Sequence, residues 1–417
     1  MIRALAIAVL LAAPFLQAPA LAGEDAQAKQ KDPHAAEAKP PAPEVQPLAP
    51  ELSRVRAVTR QFDKLAVRDA SSSTDLKQAR EDYGNFVRNL ASQEGQSEEQ
   101  KDEVRKHAEI LVLSGGDVSV LTPLGEGLPS GGAEKKLFDG VTAYGMGRTA
   151  EAEQKLLSLD AKNFDALRGG HLALTQALLA SRLNPEGAFQ HFDTARLLLP
   201  GTLVEEAALR QIAVLAARTG KKERFADAAA SYLSRFRLSA YIAGFETQLA
   251  FHIARFPGQD GDFILREILR AHPKGWGRCL PCFLAAISEQ AVHLGKTDLA
   301  SAAALAAMPA VSDSAVEKQR LLLYRGAALI VTEDFVRGLD VLNSVNQEAL
   351  SEKDRELLRT ALGLAAKLRA TPVMLTPVML KALAEQPKRN RDFSAGERVG
   401  EAKAALTAVN EMLNQGK

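Results

Sequence analysis

Cysteine is almost absent from these 417 residues: Cys279 and Cys282 are the only two, so no disulfide framework can carry the fold. Aromatic residues make up only 5%, and no segment alternates apolar and polar residues as a half-buried strand does, which argues against a sheet-built domain. Neither sign of charge dominates. With 52 Lys and Arg against 51 Asp and Glu, the chain lacks the basic surface that nucleic-acid binding requires.

The usual spellings of chemistry are missing as well. The seven histidines, His34, His107, His171, His191, His252, His272 and His293, include no pair at i, i+4 and no HExxH, so nothing predicts a metal site. There is no GxSxG elbow. Gly115 to Gly132 is rich in Gly but lacks the Lys-Ser/Thr ending and the preceding strand of a phosphate cradle. Paired acids such as Glu205-Glu206 and Asp260 with Asp262 fit helix starts, where the helix dipole favours them. The expectation is a protein that is not an enzyme, with no catalytic, cofactor-binding or metal residues.

What is present is helical periodicity, repeated. From Leu137 to Thr332 the pattern breaks near Gly147, Asn184, Gly220, Gly258, Gly295 and Glu333, at intervals of about 37 positions, close to the period of helical-hairpin arrays. Three breaks share a spelling, in which a helix runs into Gly, a basic residue follows, and a new helix starts: Gly147-Arg148, Gly220-Lys221 and Gly295-Lys296. Asn184-Pro185 and Pro257-Gly258 use Pro instead. One hairpin cannot cover its own apolar face, so stability must come from stacking. Phe164, Leu172, Leu174, Leu178, Phe189, Phe192 and Leu203 are expected core positions, each contributing roughly 1.5–3 kcal/mol if fully buried. Within Pro200 to Ala208, Thr202 with Glu205 three residues on reads as a capping box. The fold class is therefore all-α: a TPR-like α-solenoid of stacked helical hairpins, with helical caps at both ends.

The expected organisation follows from composition. Residues 1–22 read as a signal peptide, with Arg3, an apolar run to Leu16, and small residues before cleavage between Ala22 and Gly23. That run is too short and too often broken by Pro to span a membrane, and no later segment supplies a span. Residues 23–50 form a Pro-, Ala- and Lys-rich disordered linker. Residues 51–132 form an N-terminal helical cap and Gly-rich loop, 133–345 the hairpin array, and 346–417 a C-terminal helical cap. The cap contains the perfect repeat Thr371-Pro372-Val373-Met374-Leu375 and Thr376-Pro377-Val378-Met379-Leu380, and ends in an amphipathic helix from Ser394 to Leu413.

Two stretches stand out as sites. Cys279-Leu280-Pro281-Cys282 is a CxxC pair in a chain expected to leave the cytoplasm. Interrupting a helical array rather than flanking a βαβ unit, it reads as a structural disulfide or an inert pair. Tyr232, Arg235, Phe236, Arg237, Tyr241 and Phe245 mix aromatics with Arg around a hairpin junction. These types anchor partners, yet at helical spacing they also serve as core with solvated tips.

Five phrases carry a resemblance to a known family: Leu111-Val112-Leu113-Ser114-Gly115-Gly116, Asp139 to Arg148, Gly169 to Leu174, Leu197 to Arg210, and Tyr232-Leu233-Ser234-Arg235-Phe236. Over about Leu52 to Val345 the chain resembles the MotC family, exported proteins of the flagellar motor. The resemblance implies a non-enzymatic periplasmic protein required for flagellar rotation, acting on the periplasmic part of the stator protein MotB. One alternative is a general periplasmic scaffold for envelope or secretion-complex assembly, which would share fold, signal and linker; another is an envelope redox or hydrolytic enzyme, which would need the Cys279–Cys282 pair or an unrecognised cleft.

Overall fold

A computed structural model describes residues 73–370, except 94–95, 126, 272–278 and 313–314. The signal peptide with its cleavage at Ala22 and Gly23, the linker, the helix expected over Leu52 to Val67, the duplicated Thr371 to Leu380 segment and the C-terminal helix all lie outside the described residues. Among those described, every regular element is helical. Two compact units divide the chain at Gln211 and Ile212.

The first unit holds α1 (Ser73–Ala91), α2 (Glu98–Leu113), α3 (Ala133–Gly145), α4 (Thr149–Leu156), α5 (Ala166–Ala180), α6 (Pro185–Leu198) and the start of α7 (Leu203–Arg218). Helix α2 begins with a capping box: Ser97 Oγ accepts from Gln100 N at 3.2 Å and Gln100 Oε1 from Ser97 N at 3.0 Å. Its second half is buried without a break from His107 to Leu113, because α1, α3 and α5 all pack on it. The Gly-rich loop is more than a connector. Its centre, Val118–Leu124, winds into a 3₁₀ helix that buries Val120, Leu121 and Leu124.

The second unit contains α8 (Lys222–Arg235), α9 (Ile242–Arg255), α10 (Asp260–Ala271), α11 (Leu280–His293), α12 (Thr297–Ala307), α13 (Val316–Leu329), α14 (Phe335–Asn343) and α15 (Glu352–Ala370). Chain neighbours pair as α9 with α10, α11 with α12 and α13 with α14. Alternate helices also pack, in two rows: α8, α10 and α12, and α9, α11, α13 and α15. Each hairpin thus covers its apolar face with the next, as stacking requires.

All six expected breaks fall between helices. At three of them the backbone geometry is the same. Gly147, Gly220 and Gly295 take φ of 71°, 69° and 68°, and the following basic residue donates its N–H back to Ala143, Ala216 and Ala291 at 2.8, 2.9 and 2.8 Å. This is a Schellman closure, and Gly is needed because a Cβ is strained at positive φ. A fourth copy, at Gly115 and Gly116 after α2, lies at the end of the phrase Leu111 to Gly116. At the break without Gly, Thr332 Oγ1 donates to Leu329 O at 2.8 Å and accepts from Asp334 N at 3.2 Å.

Two local expectations need correction. Leu178 is 41% exposed, because α5 turns Leu172, Ala173, Gln176, Ala177 and Ala180 inward and leaves Leu178 on the outer side. The junction before α7 is shifted from a capping box. Thr202 Oγ1 accepts from Val204 N at 3.2 Å, while Glu205 reaches past Thr202 to accept from Gly201 N at 2.6 Å. Glu205 and its neighbour Glu206 do sit in the first turn of α7, and are buried there, at 1% and 0% exposure.

Candidate partner-binding surface

The 232–245 stretch separates into an inside and an outside. Helix α8 ends at Arg235, and Tyr232, Phe236 and Phe245 turn inward from that end, the following turn and the first part of α9. Their exposures are 0%, 0% and 2%. The Tyr232 ring lies 5.6 Å from Phe236 and 4.3 Å from Phe245 between centroids. These three pack the junction as core, one of the two readings their spacing allowed, and present no face to a partner. Arg235, Arg237 and Tyr241 do face solvent.

The outer side runs from the turn before α9, past Tyr241, along the helix to Phe251 and Arg255, which composition alone did not single out. Leu238 and Phe251 are each 43% exposed, and Tyr241 is 37% exposed. The Arg255 guanidinium carbon lies 3.4 Å from the centre of the Phe251 ring, and its Nη1 donates to Gln290 Oε1 on α11 at 3.4 Å. The signal was available: counting helical turns onward from Tyr241 arrives at Phe251 and Arg255 on the same side.

Cys279 and Cys282 are bridged, with Cα atoms 5.2 Å apart. Cys279 also caps α11, its Sγ accepting from Cys282 N at 3.1 Å. The bridge therefore closes the first turn of a helix. Cys279→Ser with Cys282→Ser is expected to lower stability by about 2 kcal/mol on the chain-entropy account and to leave function intact, as read by denaturant melts and by complementation of the null strain.

Inside the first unit, Arg168 of α5 gathers three carboxylates from three places. It binds Glu134 through Nη1 and Nη2 at 2.7 and 3.1 Å, Asp165 through Nε at 2.7 Å, and Glu109 of α2 at 3.4 Å. Arg168 is 5% exposed and Glu109 fully buried. One guanidinium cannot compensate all three. Desolvation, only partly offset by Arg168, pushes Glu109 up to about 8. Nearby on α5, His171 Nδ1 lies 3.2 Å from Ser114 Oγ, and burial holds its imidazole down to about 4.

These two shifts set a pH dependence. Glu109 holds its proton more tightly when folded, so its contribution is complete below about pH 4.3 and is lost as pH rises towards 8. His171 acts the other way: its contribution grows as pH rises from about 4 to about 6.5. The two nearly cancel at acid pH. From about pH 6.5 to 8, stability is expected to fall as pH rises, because the folded state keeps the Glu109 proton that the unfolded chain has released. Urea melts at three pH values check this, and Glu109→Gln should flatten the decline.

A second polar cluster ties the α9 row of the second unit together. Tyr324 of α13 donates to Asp354 Oδ1 of α15 at 2.7 Å, while Arg320 bonds Glu289 of α11 at 3.0 Å. The Tyr324 hydroxyl is raised by burial and by the Asp354 carboxylate. Between α8 and α10 a groove of about 310 Å³ is lined by Ala226, Asp227, Ala230, Glu267, Arg270 and Ala271. Its charges are largely self-satisfied, Arg270 pairing with Glu267 at 2.5 Å. Among the described residues, no group of three or more His, Cys, Asp or Glu could hold a metal ion, and no helix is long and apolar enough to cross a membrane.

Packed helical hairpins, polar clusters spent on tying helices together, and an aromatic and arginine face on one outer helix define the class as an all-α helical-hairpin protein. Comparison with known proteins makes it specific. Residues 99–417 match the family described as Chemotaxis protein MotC, and the chain belongs to that family. It is 27% identical over 294 residues to the chemotaxis protein MotC of Rhizobium meliloti (strain 1021), covering 70% of this chain and 67% of that protein. No solved structure matches.

Proposed function

We propose that this chain is a periplasmic, non-enzymatic component required for flagellar rotation, and that it acts by binding the periplasmic part of the stator protein MotB. The observation that carries this reading is the family match over residues 99–417. It is supported by packed helical hairpins, which on this reading belong to a TPR-like solenoid, a class of fold suited to holding a macromolecule. An N-terminal signal peptide would deliver the chain to the compartment where the stator's outer part resides.

Deleting the gene should leave flagella assembled but unmoving, as read by flagellin staining and cell tracking, with the full chain restoring rotation. Normal swimming in the deletion strain would end this reading. Purified full chain should also bind the isolated periplasmic region of MotB by calorimetry. Association with an envelope or secretion assembly in the absence of the stator would favour the general scaffold instead.

A further inference from the structure

We propose that the outward face of α9 is a docking site for an acidic, amphipathic segment of a partner protein. The face runs through Tyr241, Gly244, Gln248, Phe251 and Arg255, all exposed and spaced by three and four residues, which places them on one side of the helix. Tyr241 and Phe251 stand about 15 Å apart along the axis at the helical rise. Two partly exposed rings at that separation match apolar side chains about three turns apart on a partner helix. Between them the surface is open, since nothing lies within 4 Å of where a Cβ on Gly244 would stand, so a partner backbone can approach closely there.

Charge selects the occupant. Arg237 in the turn before α9 and Arg255 in its last turn are exposed at the two ends of the face, whereas the single acid of α9, Glu246, is only partly exposed. The Arg255 guanidinium is already laid against the Phe251 ring and tied to Gln290. A stacked guanidinium is held in place with part of its donor fork available, the arrangement that favours a carboxylate. Aromatic anchors flanked by such arginines are the composition of an interface centre. The segment that fits is therefore apolar in its middle and acidic at both ends.

Naming the stator as the source of that segment rests on the functional reading above; the chemistry of the face does not. The two are separated by placing a photo-crosslinking side chain at Gln248, in the middle of the face, and in a second strain at Val336 on α14, which is 71% exposed. The full chain is irradiated in living cells and the adduct mapped to a peptide. Gln248 should capture an acidic amphipathic segment and Val336 should not, and Arg237→Glu with Arg255→Glu should lower the Gln248 yield by about tenfold with an unchanged melting curve. No adduct at Gln248, or one indifferent to the charge reversal, overturns the docking site. Stator captured at Val336 but not at Gln248 also overturns it while leaving the motor reading standing. An acidic segment of another protein at Gln248 keeps the docking site and removes the stator.

Discussion

Tyr232→Ala will destabilise the second unit far more than it weakens any partner contact. The ring is fully buried, tilted against Phe245 at 4.3 Å and close to Phe236, so truncation leaves a large cavity and removes two aromatic pairings. Aromatic-to-alanine changes at such sites cost about 3–5 kcal/mol. Tyr232→Phe keeps the packing and should lose far less. Arg237→Glu, at an exposed position in the same turn, should change stability by less than about 0.5 kcal/mol. Calorimetric melts of the three variants check this, and a Tyr232→Ala protein that melts normally would return the ring to the surface.

The second large effect is expected from Arg168→Met. The guanidinium is the shared partner of Glu109, Glu134 and Asp165, and it joins α5 to α2 and α3. Removing one member of a buried ionic cluster costs about 3–5 kcal/mol. The value here should lie towards the low end, because the Glu134 and Asp165 side chains are 43% and 50% exposed and can be hydrated. Glu109 cannot, so it should hold its proton still more tightly. Adding Glu109→Leu should recover part of the loss, since two apolar side chains of similar shape do not leave a buried polar group without a partner. Urea melts of the single and double variants measure the coupling, and strict additivity would refute it.

Much of the hairpin pattern was legible because its determinants are local. A Gly that must take positive φ, followed by a basic residue, marks a helix end at 147, 220 and 295, and the same backbone bonds close all three. Thr332 shows why the break near Glu333 needed no Gly: its hydroxyl satisfies a carbonyl, Leu329 O, at the helix end. The CxxC pair was visible too, but whether its sulfurs join was not; the turn before α11 decides that they do. Residue type was less informative about orientation. Leu178 and Phe189 look alike as apolar residues in a helical pattern, yet one is 41% exposed and the other 4%, and only the packing of neighbouring helices separates them.

The candidate surface shows the same division. Six residues around Tyr232 share a composition suited to contact, but the turn after α8 sends three rings inward and leaves Arg235, Arg237 and Tyr241 outside. Counting turns from Tyr241 reaches Phe251 and Arg255, but that this side of α9 faces outward was decided by packing. From its amino acids alone this chain was determined to be all helix, with its turns at stated residues and its family resemblance in stated phrases, because helix period, capping and turn chemistry act over a few residues. Which side of each helix is buried, and that Glu109 would meet Arg168 across 59 positions of sequence, were decided by tertiary packing, because burial depends on which distant helix arrives to cover a face.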